Sequence, residues 1–321
     1  MSDEKEEFEN EANVRPIADV QHDPITFPSI PSIPSTPSSP PTPPFKEFDT
    51  IVLSGGAAKG LCTLGALQYA EDNYLLKQIT NLIGTSVGAI ICYLLALGYK
   101  PIEIMVFICT HQLLESICQF DPVKMVNGDG AVSFLPITEQ LEKMTINKIG
   151  RFVNMKDLKD LTGKTLICAT FNRSKRIPVY LGPDTHPDLP CLTALRMSAN
   201  FPYIFEKFMY MGDFYTDGGI SDNFPIDVGD KIGTKVLGIL LTEDQDEYAD
   251  LATIKLFEDF YELVGIPISQ ATAYKVRNAS DKCKIVSIGY PKFKVFNFNI
   301  PSASKLEMFS VGYNKAMEML T

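Results

Sequence analysis

Ser86 is the side chain in this sequence best placed to act as a nucleophile. It stands at the centre of Gly84-Thr85-Ser86-Val87-Gly88, between an apolar run and a helical pattern. That is the setting of a nucleophile elbow, where flanking glycines permit a strained turn and the following helix N-terminus supports negative charge. Taken alone, the motif reads equally as a strand-to-helix connection with a Ser/Thr N-cap. A second signal is Ser54-Gly55-Gly56-Ala57-Ala58-Lys59-Gly60. Its small residues present successive backbone N–H groups, which is what an anion requires. A phosphate loop would end in Gly-Lys-Ser/Thr, but Lys59 precedes Gly60, and a dinucleotide fingerprint needs glycine where Ala57 stands. An oxyanion hole fits better, with a tight strand–helix turn as the plainer alternative.

A serine nucleophile needs a base, and the chain has three histidines. His22 lies in a proline-rich N-terminal region, His111 within an apolar helical pattern, and His186 in the turn-like Gly182-Pro183-Asp184-Thr185-His186-Pro187. Asp217, in Asp217-Gly218-Gly219, would ordinarily be a turn former. In this company it is a candidate base acting directly on Ser86.

The three elements together, in order, spacing and context, resemble the patatin-like phospholipases. Leu195-Arg196-Met197-Ser198-Ala199-Asn200-Phe201-Pro202 is similar to the family's block before the aspartate, and Ser221-Asp222-Asn223-Phe224-Pro225 to its continuation. The resemblance runs from Phe48 to Leu241 and weakens beyond. It implies a three-layer α/β sandwich and a serine–aspartate dyad working without histidine, metal or organic cofactor. Carried over by position, Ser86 is the nucleophile, Asp217 the base, and the N–H groups of Gly55, Gly56 and Ala57 the oxyanion hole. Ala57 departs from the family's common third glycine, and Thr63 stands where many bacterial members have histidine. The implied reaction releases fatty acids from phospholipids or other acyl glycerolipids through an acyl-enzyme, at a membrane or lipid-droplet surface. Burial should raise the Asp217 pKa, with Phe214 and Ile220 as apolar neighbours. Candidate segments for an acyl trough or lid are Phe120–Phe134 and Phe201–Met211, each of which also reads as ordinary core. Three rivals stand beside this one: an α/β-hydrolase triad of Ser86 and His186 with Asp121 or Asp129, a catalytically silent lipid-binding protein, and a nucleotide site at Gly55–Gly60.

The elements that must position these residues follow from periodicity. Strands are expected at Asp49–Leu53, Ile79–Ile83, Thr165–Ala169, Val179–Leu181, Val236–Leu241, Lys284–Ile288 and Lys294–Phe298. Helices are expected at Leu61–Asp72, Val87–Leu97 with Gly98 as its cap, Pro101–Ile117, Pro136–Lys143, Leu192–Ala199, Leu251–Val264, Ile268–Arg277 and Ala303–Leu320. Their alternation implies a mostly parallel sheet covered on both faces. The apolar stretch Ile83–Leu97 is too short to span a bilayer and reads as a buried core helix.

Residues 1–46 differ from the rest. Met1–Glu11 is acidic, and Pro24–Pro44 is rich in proline and serine, a composition that favours an extended disordered tail and could dock a proline-binding module. A single acyl hydrolase domain is expected over 47–321. The net charge is −10. Eight acids against two bases in residues 1–23 supply −6 of it, and no basic stretch offers phosphate neutralisation, so nucleic acid is not an expected partner. Seven scattered cysteines without a C-x-x-C pair read as free thiols in a reducing compartment. Met1–Glu11 has no apolar signal core, so a cytoplasmic, peripherally membrane-associated protein is expected, not a secreted one.

Overall fold

The computed structural model describes residues 47–111, 121–127, 130–243, 255–290 and 300–321. The proposed tail, the strand candidate Lys294–Phe298, and Cys118 and Asp129 lie outside those residues. In chain order the elements are β1 (Thr50–Leu53), α1 (Gly60–Asp72), β2 (Asn81–Thr85), α2 (Val87–Ala96), α3 (Pro101–Thr110), α4 (Pro122–Asn127), α5 (Leu135–Ile149), α6 (Met155–Thr162) and β3 (Thr165–Asn172). There follow β4 (Ile177–Leu181), α7 (Cys191–Ser198), β5 (Phe208–Tyr210), β6 (Asp213–Asp217), α8 (Ile226–Ile232), β7 (Val236–Glu243), α9 (Lys255–Asn278), β8 (Cys283–Tyr290) and α10 (Ser302–Leu320).

One eight-stranded sheet runs in the order β5-β6-β3-β2-β1-β7-β8, with β4 also on β3. The strands from β3 to β8 along that order are parallel, while β4, β5 and β6 are antiparallel additions. Strand alternation divides the core. Ile51, Leu53, Leu82, Leu237 and Ile239 face a large cluster with α1, α2 and α10, whereas Val52, Ile83, Val236 and Leu240 face a smaller one with Phe224 and Ile226. Both faces are covered, which is why the strands are near-continuous apolar runs. The α/β class, with a mostly parallel sheet between helical layers, is as the sequence indicates. α2 is a buried core helix, and among the described residues no single helix is long and apolar enough to cross a membrane.

Three differences from the sequence reading have physical causes. β2 runs to Thr85, two residues past the expected end, because Gly84 and Thr85 pair with Cys168 and Ala169. The β5–β6 hairpin was not anticipated: its strands are short and Asp213 and Asp217 bound one of them, a residue type depleted in strands. Finally, α9 continues through Pro267, where two helices were expected. Pro267 is exposed, so the carbonyl it leaves unbonded can meet water.

β3 has two edges, and their occupancy sets the site. β4 pairs with Cys168–Asn172 on one edge. β2 pairs with Thr165–Ala169 and β6 with Thr170–Asn172, so both must lie on the other. They run in opposite directions and end at neighbouring levels: Thr85 opposite Ala169, Asp217 opposite Thr170.

On the larger core, α10 crosses α1 at backbone contact, with Tyr69 edge-on to Tyr313 at 5.4 Å. A Cβ on Gly312 would stand 1.8 Å from the Cys62 carbonyl oxygen. Gly312→Ala should therefore force the helices apart and cost about 2–3 kcal/mol, read as a lower urea midpoint. A shift equivalent to less than about 0.5 kcal/mol would contradict that close crossing.

Candidate active site

Ser86 caps α2 at φ 55 and ψ −125, a left-handed conformation that costs a non-glycine residue about 1–3 kcal/mol. The surroundings hold it there. Its N–H donates to the Ser198 hydroxyl at 3.0 Å, and that hydroxyl donates to the Ala169 carbonyl at 2.6 Å. The Thr85 hydroxyl donates to the Asp222 carbonyl at 2.9 Å. Gly84 is required by close approach, since a Cβ there would meet the Gly88 carbonyl carbon at 2.4 Å.

Asp217 is the last residue of β6, immediately before the 3-10 turn at Gly218–Ile220, and is 2% exposed. Its Oδ1 accepts the Gly219 N–H at 2.7 Å, while Oδ2 is buried and closes no hydrogen bond. Burial pushes the carboxyl up to about 6, countered in part by the Ser86 hydroxyl and the Gly219 N–H. The Ser86 hydroxyl therefore stands near enough to favour the carboxylate without closing a hydrogen bond to it. Phe214 does not bury Asp217 as expected; it is 40% exposed on the outer face of the hairpin.

The strand carrying Asp217 is tied down by residues to which the sequence reading gave no role. The Asp217 N–H and the Thr216 hydroxyl both donate to the Asn200 carbonyl, at 2.9 and 3.0 Å, and the Asn200 amide donates to Tyr215 at 2.7 Å. Arg196 donates to the Asn200 side chain and to the Glu206 carbonyl. Its guanidinium lies over Phe134, Phe205 and Phe208, and burial lowers its pKa to about 10. Their only sequence signal was membership of the block Leu195–Pro202. Phe134 packs edge-on to Phe205 at 4.9 Å, and Ala131 and Val132 bond the backbone at Tyr203 and Ile204. The two candidate trough segments therefore do meet, around Arg196.

In the glycine loop, the Ser54 N–H donates to Ile239 of β7, and the Gly55 N–H donates to the Asn223 carbonyl at 3.1 Å. Gly55 is close to Ser86, since a Cβ on it would stand 3.3 Å from that of Ser86. Its N–H, the first of the three expected oxyanion donors, is engaged by the Asn223 carbonyl. Among the described residues the N–H groups of Gly56 and Ala57 have no backbone acceptor. Ala57 sits at φ 48, where the glycine common in the family would be unstrained.

His186 lies beyond the end of β4, after Gly182, which is next to Leu166 and Ile167. Ser86 follows Thr85, opposite Ala169, and two or three residues of strand separate those levels by ~7–10 Å. The turn also leads away from Ser86, toward α6, where Lys156 bonds Pro187. His111 stacks on Phe107 at the end of α3, and the Asp121 side chain caps Val123 and Lys124. Among the described residues, then, neither His186 nor Asp121 is brought to Ser86. Among the described residues no three His, Cys, Asp or Glu side chains converge as metal ligands.

A second buried aspartate lies nearby. Asp222 Oδ2 accepts the Tyr180 hydroxyl at 2.6 Å and Lys275 at 2.7 Å, and Lys275 also pairs with Asp227 at 2.7 Å. This network joins α9 to the segment whose backbone holds Thr85. Nothing in the local sequence around Lys275 signals it.

The family model for the patatin-like phospholipases matches residues 51–230. The chain belongs to that family. The match takes in β1 through most of α8, hence every patatin-like element at the Ser86–Asp217 junction. A probable lipid hydrolase of Invertebrate iridescent virus 6 is 38% identical over 196 residues, which cover 59% of this chain and 66% of that protein, just under two thirds of it. An uncharacterised protein of Acanthamoeba polyphaga mimivirus is 25% identical over 288 residues, covering 85% of this chain and 94% of its own. The crystal structure of VipD from Legionella pneumophila aligns with a TM-score of 0.48 and 16% identity, over 85% of this chain and 67% of that one.

The buried carboxyl predicts a pH signature. An aspartate with the ordinary value of 3.8 loses its proton on unfolding, whereas folded Asp217 keeps it to about 6. The folded state therefore binds more protons in that window, and stability falls as pH rises through it. Asp217→Asn should be more stable than wild type above the window, by up to roughly 3 kcal/mol, and the difference should shrink toward pH ~4. Paired urea titrations across pH check this; a pH-independent difference would show that Asp217 is not desolvated.

Proposed function

We propose that the protein is a serine acyl hydrolase that cleaves fatty-acid esters of phospholipids or other acyl glycerolipids with a Ser86–Asp217 dyad. One observation supports this most strongly: β2 and β6 end at neighbouring levels of the same β3 edge, leaving a strained serine hydroxyl beside a buried carboxylate oxygen with no other partner.

In this mechanism Asp217 Oδ2 accepts the Ser86 proton as Oγ attacks the ester carbonyl. The oxyanion is met by the N–H groups of Gly56 and Ala57, with the N-terminus of α2 adding favourable potential. The C–O bond then breaks, the departing lysolipid or alcohol takes the proton from Asp217, and an acyl-enzyme remains. Water, deprotonated by Asp217, attacks the acyl-enzyme; the fatty acid leaves and Ser86 regains its proton. A carboxyl at about 6 matches such a base better than an exposed aspartate. The work is done at a membrane or lipid-droplet surface in a reducing cytoplasmic compartment, a setting consistent with unpaired thiols at the described cysteines.

Release of free fatty acid from mixed phospholipid and triacylglycerol tests the reading. Ser86→Ala and Asp217→Asn should each lose at least about a thousandfold, while His186→Ala stays within about twofold of wild type. The wild-type kcat/KM should fall about tenfold per pH unit below the Asp217 pKa. Loss of activity in His186→Ala would restore the triad. No turnover in wild type, together with no fluorophosphonate labelling of Ser86, would favour the silent lipid-binding alternative.

A further inference from the structure

The β5–β6 hairpin has an outer face that folding does not explain. Met209 and Phe214 oppose each other across it, and alternation turns them away from Phe208 and Tyr215, which pack on the core. They are 38% and 40% exposed. Arg173, whose N–H donates to the Phe214 carbonyl, continues the row onto the end of β3. Lys207, two residues before Met209, projects to the same side by strand periodicity.

At the tip, Met211 and Gly212 have φ 49 and φ 82. Two successive positive values are the requirement of a primed hairpin turn, for which Asn-Gly is the unstrained choice. A methionine there is strained, and at 87% exposure it packs against almost nothing. Such a residue stabilises the fold neither by conformation nor by burial.

The charges around the tip run against the acidic balance of the chain. Lys175 is paired with Asp213, and the Glu206 carboxylate accepts the Ser133 hydroxyl. Among the described residues Arg173, Arg176 and Lys207 form no ion pair, and all three are exposed. An apolar protein partner would account for the methionines and Phe214 but would not select these cations. An anionic lipid surface selects both. β6 also runs from this tip directly to Asp217, about 17 Å of strand, so the hairpin joins the surface to the dyad.

We propose that this hairpin face docks the protein on anionic phospholipid bilayers, with Met211 and Phe214 entering the boundary between headgroups and acyl chains and Arg173, Arg176 and Lys207 meeting acidic headgroups. The inference rests on the proposed lipid hydrolysis for its purpose but is tested separately from it. In vesicle flotation, the full chain should bind phosphatidylcholine–phosphatidylserine vesicles better than phosphatidylcholine alone. Met211→Asn, which suits the turn and so should fold at least as well, should weaken binding about tenfold. Arg173→Glu combined with Lys207→Glu should weaken it by at least about tenfold and remove the preference for phosphatidylserine. Ser86→Ala should float like wild type, and the hairpin variants should keep wild-type hydrolysis of a water-soluble short-chain ester. Wild type that ignores both vesicles, pointing instead to a protein partner, would overturn the proposal. So would hairpin variants that float as wild type does. Absence of soluble-ester hydrolysis in wild type would count against the dyad and leave the flotation result standing.

Discussion

Two strands arriving from opposite directions share one edge of β3, and neither can pass the other. This constraint shapes the local chain. β2 must leave the sheet at once after Thr85, which places Ser86 in a left-handed conformation at the start of α2. β6 must leave after Asp217, and Gly218 makes the exit possible because a Cβ there would stand 2.4 Å from the Ala169 carbonyl oxygen. Ser86 and Asp217 are neighbours because a sheet edge ran out of room.

The same junction sets the chemistry of the carboxyl. Asp217 faces the interior of a sheet with helices on both sides, so water cannot stabilise its charge, and its proton affinity rises. The burial that raises its proton affinity also makes its ionised form costly to the fold. The surrounding bonds have the character of a brace: Ser198 fixes the elbow to β3, and Arg196 and Asn200 fix β6. Arg196 is itself held by three aromatic rings rather than by a paired carboxylate. Strain and desolvation concentrated at one junction, with rigid support around it, are the pattern expected where stability has been given up for function.

Local signals were legible in the sequence, and long-range ones were not. The glycine loop, the Ser86 pentapeptide and the parallel strands are short patterns whose meaning depends on near neighbours, and the described strands among them lie within a few residues of their expected bounds. Asp217 could be singled out only by the company of the other motifs and by the want of a suitable histidine; its strand was invisible because five residues bounded by two aspartates make a weak strand signal. The fate of the Gly55 N–H could not be read at all, since it depends on the carbonyl of Asn223, brought alongside only by the completed sheet. Lys275 is a further case: it lies on an unremarkable face of α9 until folding sets it against Asp222 and Asp227.

Asp217 and Asp222 are both buried, sit close in sequence, and differ in what the fold gives them. Asp222 Oδ2 is taken by the Tyr180 hydroxyl and the Lys275 ammonium, so its lone pairs are already committed. Asp217 has one oxygen held by Gly219 and the other left open toward Ser86. A carboxylate in a structural role has its lone pairs filled; one that must accept a proton needs a lone pair kept empty in a dry place. Unmade hydrogen bonds to buried charge cost on the order of 1–3 kcal/mol or more, so such a vacancy persists only where neighbouring packing enforces it. The abutting ends of β2 and β6 are that enforcement, and they distinguish Asp217 from Asp222 more sharply than sequence context does.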